Sequence, residues 1–176
     1  MYFTTTYKSP MGKISLACDE NQNLVGLWFE GQKYFQNGIT LNNVEKNELE
    51  IFKLTKTWLD DYFKGKKPEI SRLPLSPQGS DFQKRVWQIL CKIPYGKVIT
   101  YGEIAKIIAS ELNKTKMSAQ AVGGAVGHNP ISIIIPCHRV VGKNNNLVGY
   151  AGGIETKITL LKHENVDTDK FFILKS

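Results

Sequence analysis

Residues 131–141 read ISIIIPCHRVV. Ile131, Ile133, Ile134 and Ile135 are β-branched and apolar, the composition of a short buried strand. Pro136 has no N–H to give to a ladder, so regular pairing is expected to stop there. Cys137 and His138 follow at once. The run therefore predicts a rigid base that delivers a thiol and an imidazole together. Thiolate is the reactive form of cysteine, and a nearby base or cation raises its fraction at neutral pH. The plainer alternative is a buried cysteine beside an incidental histidine, because cysteine is among the most buried residue types.

Working outward, residues 118–130 read SAQAVGGAVGHNP. Downstream come Gly149-Tyr150-Ala151-Gly152-Gly153 and a helix-like run ending Leu160-Leu161-Lys162-His163-Glu164. Further upstream, Ser80 with Gln83 and Thr100 with Glu103 have the spacing of capping boxes. The first opens a helix with Phe82, Val86, Ile89, Leu90 and Ile93 on one face and Cys91 beside it, closed by Pro94-Tyr95-Gly96. The second opens a helix that buries Ile104, Ala105, Ile107 and Ile108. After a polar link over 110–116, Ser118 caps a third helix from Ala119 to about Gly127, stopped by Asn129-Pro130. Two short helices joined by a turn read as a helix-turn-helix. Its second helix has almost no bulk at Ala119, Ala121, Gly123, Gly124 and Ala125. Each glycine costs about 1 kcal/mol against alanine in a helix. Either close helix packing or the close approach of a ligand, such as a narrow minor groove, would explain it.

The N-terminal half holds no constellation that carries chemistry. Residues 2–7, 13–18 and 24–29 read as three strands of an antiparallel meander, separated by turn residues. Residues 31–43 are polar and read as a loop with room for one more short strand. Residues 44–63 read as a helix with Ile51, Leu54, Thr55, Trp58, Leu59, Tyr62 and Phe63 on its apolar side. Residues 68–79 hold three of the seven prolines and read as a linker. The predicted class is α/β (α+β), with an N-terminal lobe of antiparallel sheet and helix at 1–67. A mainly helical lobe follows at 80–165, with a helix-turn-helix and a short active-site strand. The tail, 166–176, has no assigned role. Its Phe171-Phe172-Ile173-Leu174 run suits either a packed short strand or self-association.

The chain has 176 residues and a formal charge of +7. Residues 80–165 carry 11 basic and 5 acidic residues, so nearly all the excess lies in the half with the cysteine motif. That half suits a polyanion, although a solvated basic face would look the same. No apolar run reaches membrane-spanning length, and the first residues lack the pattern of a signal peptide. Cys18, Cys91 and Cys137 are three in number and widely spaced, which argues for a reducing cytoplasm rather than a disulfide framework. No CxxC is present and the histidines are scattered, so neither a structural zinc nor a cofactor is expected.

The Pro136-Cys137-His138-Arg139-Val140 pentapeptide with these flanks resembles the 6-O-alkylguanine-DNA alkyltransferases, also called methylated-DNA–protein-cysteine methyltransferases. The resemblance covers about half the chain, residues 80–164. It implies DNA repair by direct reversal: one alkyl group moves irreversibly from guanine O6 to Cys137, once per protein. The partner implied is duplex DNA carrying alkylated guanine, with alkylated thymine left open. A monomer without an obligate protein partner is expected. The resemblance makes His138 the base, acting through a bridging water, and Glu164 the group that orients it. Tyr101 would crowd the phosphate beside the extruded nucleotide and offer a proton to the guanine. Asn129 would tie the recognition helix to the cysteine segment.

The backbone of Val140 and Cys137 would read the guanine's amino edge. Tyr150, Ala151 and Gly152 would form the pocket lid. Many relatives have serine at Ala151 and arginine at Gln120, where the arginine fills the gap in the base stack. Ser118, Gln120, Ala121, Gly124, Arg139 and Lys143 complete the expected DNA-binding set with Tyr101, and Arg139 is also expected to make buried polar contacts. Three rivals remain: a thiol hydrolase, a non-catalytic lesion-binding module, and a transcriptional sensor of alkylation. The last would need a cysteine-rich domain that this sequence lacks.

Overall fold

The structure is a computed structural model, described for residues 1–34, 39 and 44–173. The chain forms two compact units, Met1–Gln78 with Pro130–Ile134, and Gly79–Asn129 with the chain from Ile135 on. Among the described residues no helix is long and apolar enough to cross a membrane.

The first unit is built on a four-stranded sheet in the order β3-β2-β1-β4. Strands β1 (Phe3–Ser9), β2 (Gly12–Cys18) and β3 (Leu24–Phe29) are the expected antiparallel meander. β4 (Val44–Glu45) pairs in parallel with β1. The helix expected from residue 44 therefore starts only at Glu50. Its first residues are drawn into the sheet instead, with the Val44 and Lys46 amides donating to the Tyr2 and Thr4 carbonyls. In α1 (Glu50–Phe63) the buried side is Ile51, Phe52, Thr55, Trp58, Leu59 and Tyr62. Leu54, expected there, is exposed, and Phe52 takes its place. The 31–43 loop lies mostly outside the described residues.

Every residue of β3 is buried. Its outer edge would present unpaired backbone groups, and two short segments cover it. The Leu24 amide donates to Pro74 O at 2.8 Å, and the Ser76 amide to Leu24 O at 2.8 Å. Likewise the Leu27 amide donates to Pro130 O at 2.9 Å, and the Ser132 amide to Leu27 O at 3.1 Å. Residues 73–76 and 130–132 thus serve as one-residue edge pieces, with bridges at Leu75 and Ile131.

This corrects the strand expected over 131–135. Only Ile131 pairs; the chain then turns at Ile133, whose φ is 69°. A β-branched residue in the left-handed region is strained, and it persists because the segment is buried throughout.

The second unit is mainly helical: α2 (Asp81–Leu90), α3 (Tyr101–Glu111), α4 (Ala119–Gly127) and α5 (Ile154–His163). Both capping boxes form, at Ser80 with Gln83 and at Thr100 with Glu103. Ser118 caps α4 by accepting from the Ala121 amide at 3.1 Å. α3 and α4 are the expected helix-turn-helix. Trp87 of α2 donates its indole N–H to Ala125 O of α4 at 2.9 Å. On α3 the buried residues are Ile104, Ala105, Ile108 and Ala109, while Ile107 turns outward. β5 (Ile99–Thr100) and β6 (Val140–Val141) form a short parallel ladder that joins the start of α3 to the segment after the cysteine.

Candidate active site

Cys137 opens a 3-10 turn, Cys137–Arg139, between the end of the buried isoleucine segment and β6. Its amide donates to Ile135 O and the Val140 amide donates to Cys137 O, so backbone fixes it on both sides. The Asn129 amide group donates to Ile135 O at 2.8 Å and also hydrogen-bonds the cysteine, so the end of α4 is tied directly to the nucleophile. Tyr150 lies near enough to the thiol to favour its ionised form. Burial pushes the Cys137 thiol up, and Asn129, Lys157 and Tyr150 pull it back part of the way. Cys18 and Cys91 are raised to about 11 by burial and have no such set of side-chain hydrogen bonds.

His138 and Glu164 are both buried and lie 2.5 Å apart, Nε2 to Oε2. The carboxylate also accepts from Arg139 Nε at 2.7 Å, Arg139 Nη2 at 3.2 Å and the Gly96 amide at 3.2 Å. Burial alone would raise the Glu164 carboxyl. The hydrogen bonds and charges of His138 and Arg139 outweigh it and hold the group well below the ordinary carboxylate range. His138 is pushed down by burial and by the charges of Arg139 and Lys157, against the pull of Glu164. The ring is therefore neutral at pH 7. An ionised Glu164 can only accept, so the proton sits on Nε2 and Nδ1 carries the lone pair. Among the described residues Nδ1 has no protein hydrogen-bond partner. A neutral imidazole with a fixed tautomer and a bare Nδ1 is a proton acceptor.

Arg139 makes the buried polar contacts expected of it, but at 7% exposed it offers little to the DNA face on which it was also expected. It spends its donors on Glu164 and on Ile93 O at 2.7 Å, with its guanidinium 5.7 Å from the Tyr95 ring centroid. A planar guanidinium suits this bidentate duty inside the protein.

Tyr101 stands at the start of α3 and donates to Val148 O at 3.2 Å. Burial and the nearby Cys137 push its hydroxyl up to about 12, which keeps it a donor. Tyr150, Ala151 and Gly152 lie half-buried on the loop before α5, and the Gly153 amide closes a tight turn on Tyr150 O at 2.9 Å. Val140 is buried in the β5–β6 ladder.

Ser118, Gln120, Ala121 and Gly124 are exposed together along α4 and its cap. Lys143 is exposed on a separate loop. Neither Gly123 nor Gly124 of α4 is demanded by packing. A Cβ on Gly124 would meet nothing within 4 Å, and one on Gly123 would sit 3.8 Å from the Tyr101 ring, ordinary contact.

Lys157 escaped the sequence reading. It is 1% exposed on α5 and donates to Val148 O at 3.1 Å and Gly149 O at 3.2 Å. Its ammonium lies 6.0 Å from the Tyr101 ring centroid. Burial pulls it down to about 8, while the charge on Cys137 acts the other way. Its signal was positional: with Ile154, Ile158 and Leu161 it falls on one side of a helix, where a lysine is out of place. Tyr95, whose hydroxyl donates to His163 O at 3.2 Å, and Gly96 were read only as a helix stop.

Two family models match the chain. The model described as "6-O-methylguanine DNA methyltransferase, ribonuclease-like domain" covers residues 2–77, and "6-O-methylguanine DNA methyltransferase, DNA binding domain" covers 81–166. A methylated-DNA–protein-cysteine methyltransferase of Haemophilus influenzae is 40% identical over 93% of this chain and 87% of its own length. A protein of the same name from Methanosarcina acetivorans is 41% identical over 93% of this chain and 98% of its own. Among solved structures, Mycobacterium tuberculosis OGT in complex with DNA superposes with a TM-score of 0.79 at 36% identity, covering 96% of this chain and 94% of that one.

Proposed function

This chain belongs to the 6-O-methylguanine DNA methyltransferase family, and from that premise we propose that it repairs duplex DNA by moving an alkyl group from guanine O6 to Cys137. The observation that carries the proposal is the buried thiol beside a neutral histidine whose tautomer Glu164 and Arg139 fix.

The step is a displacement at the alkyl carbon. The Cys137 sulfur forms the new C–S bond, and the C–O6 bond breaks with its electron pair on the purine. The thiol proton goes to His138 Nδ1, relayed by a water as the family resemblance implies, and Glu164 stabilises the imidazolium that forms. The Tyr101 hydroxyl, exchanging Val148 O for the substrate, donates to the departing guanine. Lys157 favours the thiolate by its charge. Asn129 and Tyr150 favour the thiolate as well. The target atom is inaccessible within a base pair, so the nucleotide is extruded into the pocket under the Tyr150-Ala151-Gly152 lid. α4 lies in the minor groove, with Gln120 at the gap it leaves. Being shorter than arginine and uncharged, Gln120 weakens nonspecific affinity without preventing extrusion.

The product is a thioether that no residue of the site is placed to reverse, so each chain acts once. The protein works as a monomer in the cytoplasm, where Cys137 stays reduced. A burst assay tests this reading: repaired guanine is counted against protein over time. The expected result is a plateau at about one lesion per chain. A count that keeps rising with time would make the protein a turnover catalyst and overturn the proposal.

A further inference from the structure

Resting on the functional reading above, we infer that residues 171–172 are a positioning strap for the pocket lid, acting through backbone hydrogen bonds. The loop between β6 and the lid is built on unfavourable backbone. Asn144 and Asn145 both take left-handed backbone, with φ of 56° and 64°. Asparagine tolerates that conformation better than most residues, yet two in succession remain unfavourable. The loop closes on itself where the Gly142 amide donates to Asn146 O at 2.6 Å. A Cβ at Gly142 would stand 2.9 Å from that oxygen, so the closure is tight.

The rest of the restraint comes from the tail. The Phe172 amide donates to Asn145 O at 3.1 Å, and the Leu147 amide donates to Phe172 O at 2.8 Å. These two bonds straddle Asn146 as a parallel bridge. The Phe171 ring packs with Leu147, Val141, Leu161 and Val166. The residue after Leu147 is Val148, whose carbonyl receives both Tyr101 and Lys157. Tyr150, which favours the Cys137 thiolate, follows two residues later. The strap thus fixes the lid from one side while Tyr101 and Lys157 fix it from the other. A displacement of about 1 Å in such a positioning element can cost on the order of a hundredfold in rate.

The Phe172 side chain is 47% exposed, so its backbone can be tested apart from its packing. Phe172→Pro deletes the bond to Asn145 O, and Phe172→Ala keeps it. A chain ending at Phe171 keeps the packed ring and loses both bonds. Methyl transfer to each is timed with methylated duplex, beside amide exchange at Leu147 and thermal melting. The expected result is transfer slowed about tenfold in Phe172→Pro and in the shortened chain, with faster Leu147 exchange, and Phe172→Ala at the wild-type rate. Should either folded strap variant transfer within twofold of wild type despite faster exchange, the strap is refuted. Phe172→Ala as slow as Phe172→Pro refutes it too, since the side chain would then be the cause. A wild-type chain that transfers nothing refutes the functional reading, and this inference with it.

Discussion

The Glu164 carboxylate lies between a permanent cation, Arg139, and a base, His138. Glu164→Gln keeps the shape but leaves the Arg139 charge buried without its counterion. Breaking a buried pair in this way costs about 3–5 kcal/mol, so urea unfolding should move by that order. The same residues set two pH dependences. A histidine held below its ordinary 6.5 stays neutral down to that value, so the transfer rate should hold at neutral pH and fall as acid protonates it. In stability the unfolded chain binds the proton more readily than the folded one, so stability declines as pH drops from 6.5. Glu164, depressed from 4.5, adds stability that is present above that value and lost as pH falls through its lowered one. Both effects run the same way. Acid titration of the melting temperature should show the decline, with the lower limb flattened in Glu164→Gln. At Lys157 the charge favours thiolate. Lys157→Met should therefore shift alkylation of Cys137 by iodoacetamide to higher pH and slow methyl transfer about tenfold.

Among the elements, α4 offers a direct test of its small residues. Space is open at Gly124, so Gly124→Ala should raise helix stability by about 1 kcal/mol. Gly124→Leu should fold equally well yet weaken binding to duplex DNA at least tenfold, measured by fluorescence anisotropy. If Gly124→Leu binds normally, α4 does not enter a groove. The elements also differ in how far the sequence disclosed them. Capping boxes at Ser80 and Thr100 and the Ser118 cap were legible because a few local side chains decide them. The start of α1 was not, because pairing of Val44 with β1 is a tertiary contact. The isoleucine segment was half legible. Its burial followed from composition, but the turn at Ile133 sets a strained backbone that no local preference announces. The buried contacts of Arg139 were expected but not their partner, and Lys157 went unnoticed, for the same reason: Glu164 and the Val148 carbonyl are chosen by the fold.

For the whole molecule, the charge relevant to DNA is smaller than the sequence count. Of the 11 basic residues in 80–165, Arg139 and Lys157 are buried and Arg85 is paired with Glu111, leaving eight exposed lysines. Affinity for undamaged duplex should fall steeply with salt, by about 0.9 in log–log slope for each phosphate neutralised. Gln120→Arg should steepen that slope by about one. A slope near zero would mean that the basic half is a solvated surface.

In the proposed reaction Cys137 itself receives the alkyl group. The most direct test is intact and peptide mass spectrometry after mixing with duplex DNA bearing one O6-methylguanine, with Cys137→Ser alongside. The predicted result is a gain of one methylene, about 14 Da, saturating at one per chain, mapped to the Cys137 peptide and absent from the variant. An unchanged mass with tighter binding to the lesioned duplex would instead make the protein a damage-recognition module. An unchanged mass with no lesion preference would contradict the account altogether.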